Sequence, residues 1–273
     1  MQTLLITGAA GIVGTALRPL LRKDYALRLF DRLPITDLAD NETGFVGDLT
    51  RTQDLVEAVK GVDAVLHLAC AHGTDIRYDS TVKPNYDATL QLLEAAAAAQ
   101  VKRFIFASSH HVLGQYPSDA HEVYDDLPIA PDSYYAISKV FGEAACATYA
   151  QRTGMGALVI RIGNADPRVS DARRLRLWTS ARDLEQLVRI GLEHPAINYD
   201  VVYGVSECPQ AFFSNHHARS LGYRPQDNAQ DFLAANFLAF DAMDAGTSGR
   251  QFLGGAYAVS PLVSVLSGSG EAQ

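Results

Sequence analysis

Short apolar runs alternating with amphipathic stretches, a glycine-punctuated turn directly after the first run, and an aspartate closing the second run predict an α/β chain. They point to a Rossmann-type, doubly wound parallel sheet with a small C-terminal lobe. Strand-like runs cover 3–7, 26–31, 44–47, 63–69, 102–108 and 157–163, and are apolar enough for burial on both faces. Between them, 12–22, 52–60, 85–100 and 133–153 are patterned as helices, the third containing five consecutive alanines, strong helix formers. After Gly163 the alternation breaks into an arginine-rich stretch, a helix expected at 181–193, a short strand at 200–204 and a helix at 227–240. The chain therefore divides into a nucleotide-binding core, 1–163, and a lobe with a tail, 164–273, packed as one compact unit. The final S-G-S-G-E-A-Q lacks apolar anchors and is expected to fray, and no solenoid-type repeat is visible.

The first strand runs into T-G-A-A-G-I-V-G-T-A-L, the context of a dinucleotide-binding loop. Gly8 permits the tight turn, Gly11 lets backbone approach a pyrophosphate, and Gly14 allows helix and strand to pack closely. Ile12 and Val13 open the following helix, whose N-terminal amides would meet the phosphates. Asp31 stands about 20 residues further on, where a carboxylate binds ribose hydroxyls and repels a 2′-phosphate. NAD is thus favoured over NADP, although Arg32 beside it is a residue type that accommodates that phosphate.

At 273 residues with 48% hydrophobic content the chain has ample core without staples. Its net charge of −8 argues against nucleic-acid and anionic-membrane partners. Cys70, Cys146 and Cys208 form an odd set without metal-ligand spacing, which suits reduced thiols in the cytoplasm. No segment is long and apolar enough to span a bilayer, and a strand beginning at residue 3 leaves no room for a signal peptide. No metal is expected: His110-His111 and His216-His217 are adjacent pairs, which on a strand would point in opposite directions.

Tyr135 and Lys139, in S-Y-Y-A-I-S-K-V-F-G-E, are four residues apart and share one helix face. A phenol ionises near pH ~10, so it needs positive charge nearby to act as a base close to neutrality, and Lys139 would supply it. The spacing alone arises often by chance; its weight comes from the glycine loop upstream.

The glycine loop, Asp31, F-A-S-S-H-H and Tyr135-x-x-x-Lys139 together resemble the short-chain dehydrogenase/reductase superfamily in its epimerase/dehydratase-like branch. Within it the chain is most similar to the uronate dehydrogenases. That match is carried by S-S-H-H-V-L-G-Q-Y-P, Y-A-I-S-K-V-F-G-E, V-I-R-I-G-N, R-R-L-R-L-W-T-S, V-V-Y-G-V-S and S-N-H-H-A-R-S-L-G-Y-R-P-Q-D-N-A. The resemblance implies NAD-dependent oxidation of the C1 hydroxyl of an acidic sugar, such as a hexuronate, to its lactone. It makes Ser109, Tyr135 and Lys139 the catalytic residues and 164–273 a substrate-binding lobe. Asp48 and Leu49 would flank the adenine, Leu68, Ala69 and Cys70 would line the cofactor, Asn85 would sit behind the site as lysine support or cofactor contact, and Ile162 and Gly163 would pass near the nicotinamide. Arg173 matches the arginine that holds the uronate carboxylate, a task suited to a guanidinium fork.

Three pocket positions depart from that pattern. His110 stands where uronate dehydrogenases have asparagine, before the family's own His111; Asn164 and His72 stand where they have serines. Arg168, Arg174 and Arg176 crowd Arg173 and individually read as a solvated basic patch, while Trp178 reads as core near the pocket. Alternatives remain open: a dehydrogenase for sulfoquinovose, glucose 6-phosphate or a neutral aldose, or, in another class, a non-catalytic NAD-sensing regulator. A nucleotide-sugar epimerase would need a larger lobe. By analogy a homo-oligomer, a dimer or higher, would pair through 85–100 and 133–153.

Overall fold

The alternation of apolar runs is realised as seven parallel strands. In the computed structural model, which describes residues 1–118, 127–244 and 246–263, the first half runs β1 (Thr3–Thr7), α1 (Ile12–Leu21), β2 (Ala26–Asp31), β3 (Glu42–Val46), α2 (Thr52–Ala58), β4 (Ala64–His67), α3 (Tyr78–Thr81), α4 (Ala88–Ala98) and β5 (Arg103–Ser109). The second half runs α5 (Tyr134–Thr153), β6 (Gly156–Ile162), β7 (Val169–Asp171), α6 (Ala172–Leu175), α7 (Ala181–Glu193), β8 (Tyr199–Gly204), α8 (His216–Ser220), β9 (Leu233–Leu238), α9 (Ser248–Gln251) and α10 (Ala256–Val259). The main sheet has the order β3-β2-β1-β4-β5-β6-β8. Side-chain alternation sends Leu4 and Ile6 of β1 to one face, against Leu17 and Leu21 of α1 and Leu184 and Leu187 of α7. Leu5, Val65 and Phe104 face the other layer, against Leu55 of α2, Leu92 of α4 and Cys146 of α5. Covering both faces is what a parallel sheet requires, and it explains the unbroken apolar runs.

The chain turns one way from β1 to β2 and the other way to β4, so the carboxyl ends of these strands open a crevice at a topological switch point. α5, which carries the Tyr/Lys pair, is well delimited: the Ser133 hydroxyl accepts the Ala136 amide at 3.1 Å, and Gly154 ends the helix at φ +73°.

The sheet does not end at 163: α7 and β8 follow it, β8 pairing with β6 and α7 packing on the face shared with α1. Three expectations need correction. The helix expected at 227–240 is a 3-10 turn, Ala229–Phe232, followed by strand β9, which pairs with β7 in a two-stranded sheet; this partner overrides the helix propensity of an alanine-containing run. The helix expected at 85–100 begins as a π-helical turn, Val82–Asp87, where Pro84 has no amide hydrogen to give. The fourth strand ends at His67, two residues early, as the chain leaves the sheet for the crevice. The expected fraying of the last seven residues lies outside the described residues. Among the described residues no helix is long and apolar enough to cross a membrane.

Candidate active site

The crevice is a cleft of about 710 Å³ that runs from the glycine turn to Tyr135, Asn164 and Tyr257. At its nucleotide end Gly8 sits at φ +73° with its amide donating to the Phe30 carbonyl at 2.9 Å. A Cβ added there would fall 2.8 Å from the Ala69 backbone, and one on Gly14 would fall 2.6 Å from the Gly8 carbonyl oxygen. Gly11 precedes α1 with no side-chain cap, which leaves the first-turn amides to an anion. Asp31 accepts from the amides of Ala10 at 3.0 Å and Leu33 at 3.1 Å, so the end of β2 is tied to the glycine turn. An unobstructed cradle that a Cβ would fill, an uncapped helix start and a carboxylate beside them fit a dinucleotide. Ile12, Val13, Arg32, Asp48, Leu49, Leu68, Ala69 and Cys70 line the same cleft. Asp48 is held below the usual carboxylate range, chiefly by accepting the Thr50 amide at 2.8 Å and the Thr50 hydroxyl at 2.9 Å.

Asn85 is not part of the cleft lining. Its amide donates to the Ala71 carbonyl at 2.8 Å and to the Ser138 hydroxyl at 2.9 Å, and accepts the Ala71 amide at 2.7 Å. It thereby clamps the segment after β4 to α5, and lies behind the wall beside Lys139 in a small polar recess.

α5 presents Tyr135 and Lys139 to the cleft, and β5 ends in Ser109. The Lys139 ammonium, only 4% exposed, donates to the Ala107 carbonyl at 2.7 Å and stands 5.5 Å from the centre of the Tyr135 ring. The phenol itself is held well above its ordinary pKa, first by burial and then by the charges of Cys70, Tyr257 and Asp132, while a hydrogen bond with Ser109 pulls it down. Desolvation of the phenolate is the largest influence on this group.

His110 and His111 leave the strand as a 3-10 turn, His110–Leu113, so they do not point apart as strand neighbours would; their rings lie 4.2 Å centre to centre. His111 Nδ1 is 2.6 Å from Asp132 Oδ2, and its ring packs 4.2 Å from Tyr257 and 5.8 Å from Tyr135. Asp132 is enclosed so tightly that a Cβ on Gly114 or Gly254 would collide with its carboxylate. Burial pushes that carboxyl up to about 6 and the His111 imidazole down to about 3, so at neutral pH a neutral imidazole donates its Nδ1–H to the carboxylate. His72 lines the cleft with its ring 6.1 Å from Tyr135.

Arg173, 9% exposed, lies one layer behind the cleft lining: its guanidinium donates to the Leu253 carbonyl at 2.8 Å and packs against Gly255. Burial lowers it to about 10, so it stays charged, and among the described residues no carboxylate lies within ion-pair distance of it. Its neighbours are not a solvated patch. Arg174 pairs with Asp171, and Arg176 is buried on the Phe212 ring at 3.7 Å and donates to the carbonyls of Gln210 and Ser118; Arg168 alone is exposed. Trp178 is core outside the lining, donating to the Asp166 carbonyl at 2.7 Å. His217 is an exposed partner of Asp200 at 2.9 Å, remote from the cleft lining with His216. Among the described residues no group of three or more His, Cys, Asp or Glu is placed to hold a metal ion.

Asp132 and Tyr257 went unrecognised in the sequence. Asp132 had a signal, its place two residues before the Tyr134–Tyr135 pair at the start of α5; Tyr257, reaching in from the short α10, had none.

The buried imidazoles make stability acid-sensitive. Burial holds His67, hydrogen-bonded to Thr7 at 2.7 Å, down to about 3, His111 down to about 3, and His110 well below its ordinary value. Below about pH 6.5 the unfolded chain protonates these groups and the fold does not, so their contribution is complete above that pH and is lost as pH falls toward 3. Asp132 has the opposite sign, since its raised carboxyl takes up a proton in the fold first, and it offsets one of the three between about pH 6 and pH 4. Stability is expected to fall by about 2–3 kcal/mol per pH unit across that window. Urea unfolding at stepped pH measures this, and His67→Gln should flatten the slope by about one proton; a flat wild-type profile from pH 7 to pH 5 would contradict the assignment.

The model of the NAD dependent epimerase/dehydratase family matches residues 4–166. The chain is 38% identical over 260 residues to a uronate dehydrogenase from Pseudomonas putida, covering 94% of this chain and 96% of that one. It is 32% identical to an NAD-dependent glucose-6-phosphate dehydrogenase from Haloferax volcanii, over 85% of this chain and 95% of that one. Among solved structures, a mutant uronate dehydrogenase from Agrobacterium tumefaciens complexed with NAD superposes with a TM-score of 0.88 at 30% identity, covering 96% of this chain and 99% of that one.

Proposed function

Because the chain belongs to the NAD dependent epimerase/dehydratase family, we propose that it is an NAD-dependent dehydrogenase oxidising the C1 hydroxyl of an acidic aldose, such as a hexuronate, to its lactone. The observation that carries this is the meeting of Ser109, Tyr135 and Lys139 in the same cleft as the glycine cradle and Asp31. The likeness to uronate dehydrogenases over nearly the whole chain supports the substrate class.

Gly8, Gly11 and Gly14 with the first amides of α1 would hold the pyrophosphate of NAD, and Asp31 its ribose. When bound, NAD supplies the hydride acceptor and a positively charged nicotinamide. Tyr135 takes the proton of the C1 hydroxyl, and Ser109 hydrogen-bonds the same oxygen as charge develops on it. Lys139, with one N–H fixed on the Ala107 carbonyl, keeps two for ribose hydroxyls and for the field that favours the phenolate. His72, His110, His111 and Asn164 form the sugar wall. Arg173 supplies positive charge one layer deeper, where the low dielectric lets it favour an anionic sugar, and among the described residues no carboxylate forms an ion pair with it.

An initial-rate panel of galacturonate, glucuronate, sulfoquinovose, glucose 6-phosphate and neutral aldoses, with NAD and NADP, tests the proposal. The highest kcat/KM is expected for a uronate with NAD. Glucose 6-phosphate is the second reading, favoured by the Haloferax relative. NADH that fails to accumulate with any sugar would favour a regulator or an epimerase instead. A dimer through α4 and α5 is supported by exposed Tyr78, Leu90 and Ile137 on and beside these helices; a monomer mass at all concentrations by light scattering would reject it. The free thiols Cys70, Cys146 and Cys208 support a cytoplasmic location, which cell fractionation tests.

A further inference from the structure

We propose that His67 is a positioning residue: a one-way chain of hydrogen bonds runs through it from Thr7 to the Tyr135 carbonyl and holds the dinucleotide turn and the catalytic turn of α5 in fixed relation. The inference rests on the dehydrogenase reading above and deepens it with two buried residues outside the cleft lining, His67 and Thr89.

Thr7 closes β1 directly before the Gly8 turn, and its hydroxyl meets Nδ1 of His67, at the end of β4, at 2.7 Å. His67 Nε2 meets the Thr89 hydroxyl oxygen in α4 at 3.3 Å, and that hydroxyl donates to the Asn85 carbonyl at 2.6 Å. With its one proton spent on Asn85, Thr89 can only accept from His67, so Nε2 carries the imidazole proton and Nδ1 accepts from Thr7. The Asn85 amide donates in turn to the Ser138 hydroxyl oxygen at 2.9 Å, and Ser138 donates to the Tyr135 carbonyl at 2.7 Å. Every link points the same way, from the residue before Gly8 to the tyrosine that takes the C1 proton. Thr7 Oγ1 also accepts the Ala69 amide at 3.4 Å, holding the exit of β4 against the turn where a Cβ on Gly8 would have no room.

All five side chains are buried, and the His67 ring packs against Phe104 at 6.1 Å and Phe106 at 5.9 Å between ring centres. Burial and the Lys139 charge keep that ring neutral, as the chain requires, since an imidazolium offers Thr7 no acceptor. Stability alone does not call for such a chain, because apolar groups of the same shape can replace paired polar ones at little cost. What a fully satisfied polar network adds is a unique geometry. The two ends it joins are the two that must agree for hydride transfer: the cradle that places NAD and the tyrosine that places the sugar oxygen. A misplacement of about 1 Å between such groups costs on the order of a hundredfold in rate.

The test cuts the chain at its middle. Thr89→Val removes the hydroxyl with little change of shape and Thr89→Ser keeps it; His67→Leu removes both ring nitrogens and His67→Gln keeps one acceptor and one donor. Thr89→Val and His67→Leu are each expected to weaken NAD binding about three- to tenfold, measured by calorimetry without sugar. Each is also expected to lower kcat at saturating NAD about tenfold, with the sugar KM within about threefold of wild type. Thr89→Ser and His67→Gln are expected to stay within about threefold of wild type in all three quantities. A merely structural role would lower stability and leave NAD affinity and kcat of the folded enzyme in place; that result, or a change at one end only, would overturn the proposal. Should the cut variants not fold, nitrogen-15 NMR of the wild type decides: His67 protonated at Nε2 and bare at Nδ1, free and with NAD, supports the chain, and the other tautomer or an imidazolium overturns it. Absence of turnover with every aldose would count against the dehydrogenase reading instead, and the NMR result would still judge His67.

Discussion

Tyr135→Phe is expected to lower kcat by about three orders of magnitude while leaving NAD affinity within about threefold of wild type. The substitution removes one oxygen from a half-buried ring whose packing against His72, His111 and Tyr257 is otherwise kept. What is lost is a group hydrogen-bonded to Ser109 and beside the Lys139 ammonium, and with it the acceptor placed for the C1 proton. Because burial holds the phenol protonated, the wild-type rate should rise with pH as the phenolate becomes accessible, and the residual rate of Tyr135→Phe should lose that dependence. Single-turnover NADH formation read against pH tests both statements. Ordinary turnover by the variant would remove Tyr135 from the chemistry.

Arg173→Met is expected to reduce kcat/KM for a uronate by roughly a hundredfold, and for a neutral aldose by less than threefold. A buried guanidinium that has no ion-pair partner among the described residues stabilises an anion through a poorly screened field, and methionine keeps much of its volume without the charge. The comparison of two sugars separates this from a structural effect. Arg173 also ties down the Leu253 carbonyl ahead of Tyr257, and if that tether were its main contribution both sugars would suffer equally. Arg173→Lys should recover much of the uronate activity, because an ammonium keeps the charge through which the residue acts. Equal losses for acidic and neutral sugars would end the carboxylate assignment.

Much of the nucleotide end was legible because its chemistry is local. Gly8, Gly11 and Gly14 lie within one turn and the helix it starts, and Asp31 closes the strand that pairs with β1. Tyr135 and Lys139 are neighbours on one helix, so spacing alone states that they share a face. The sugar end is different. Asp132, His111, Arg173 and Tyr257 come from four separate stretches, and what each does depends on which backbone atom or ring the others bring against it. Arg173 illustrates the limit, since residue type and motif put it at the substrate whereas packing sets it behind Gly255. The stretch 227–240 is a second case: its composition suits a helix, and only the presence of β7 turns Leu233–Leu238 into a strand.

The amino-acid sequence by itself determined the parallel sheet, the dinucleotide turn and the Tyr135–Lys139 pair, because periodic burial and fixed spacing are written between near neighbours along the chain. Tertiary structure alone decided the protonation and polarity of the sugar pocket. Whether His110 offers a proton or a lone pair depends on the Ile162 carbonyl, and whether His111 is neutral depends on burial and on the Arg173 charge. Those partners are assembled only when distant segments pack, and desolvation, which sets the balance, exists only after they have.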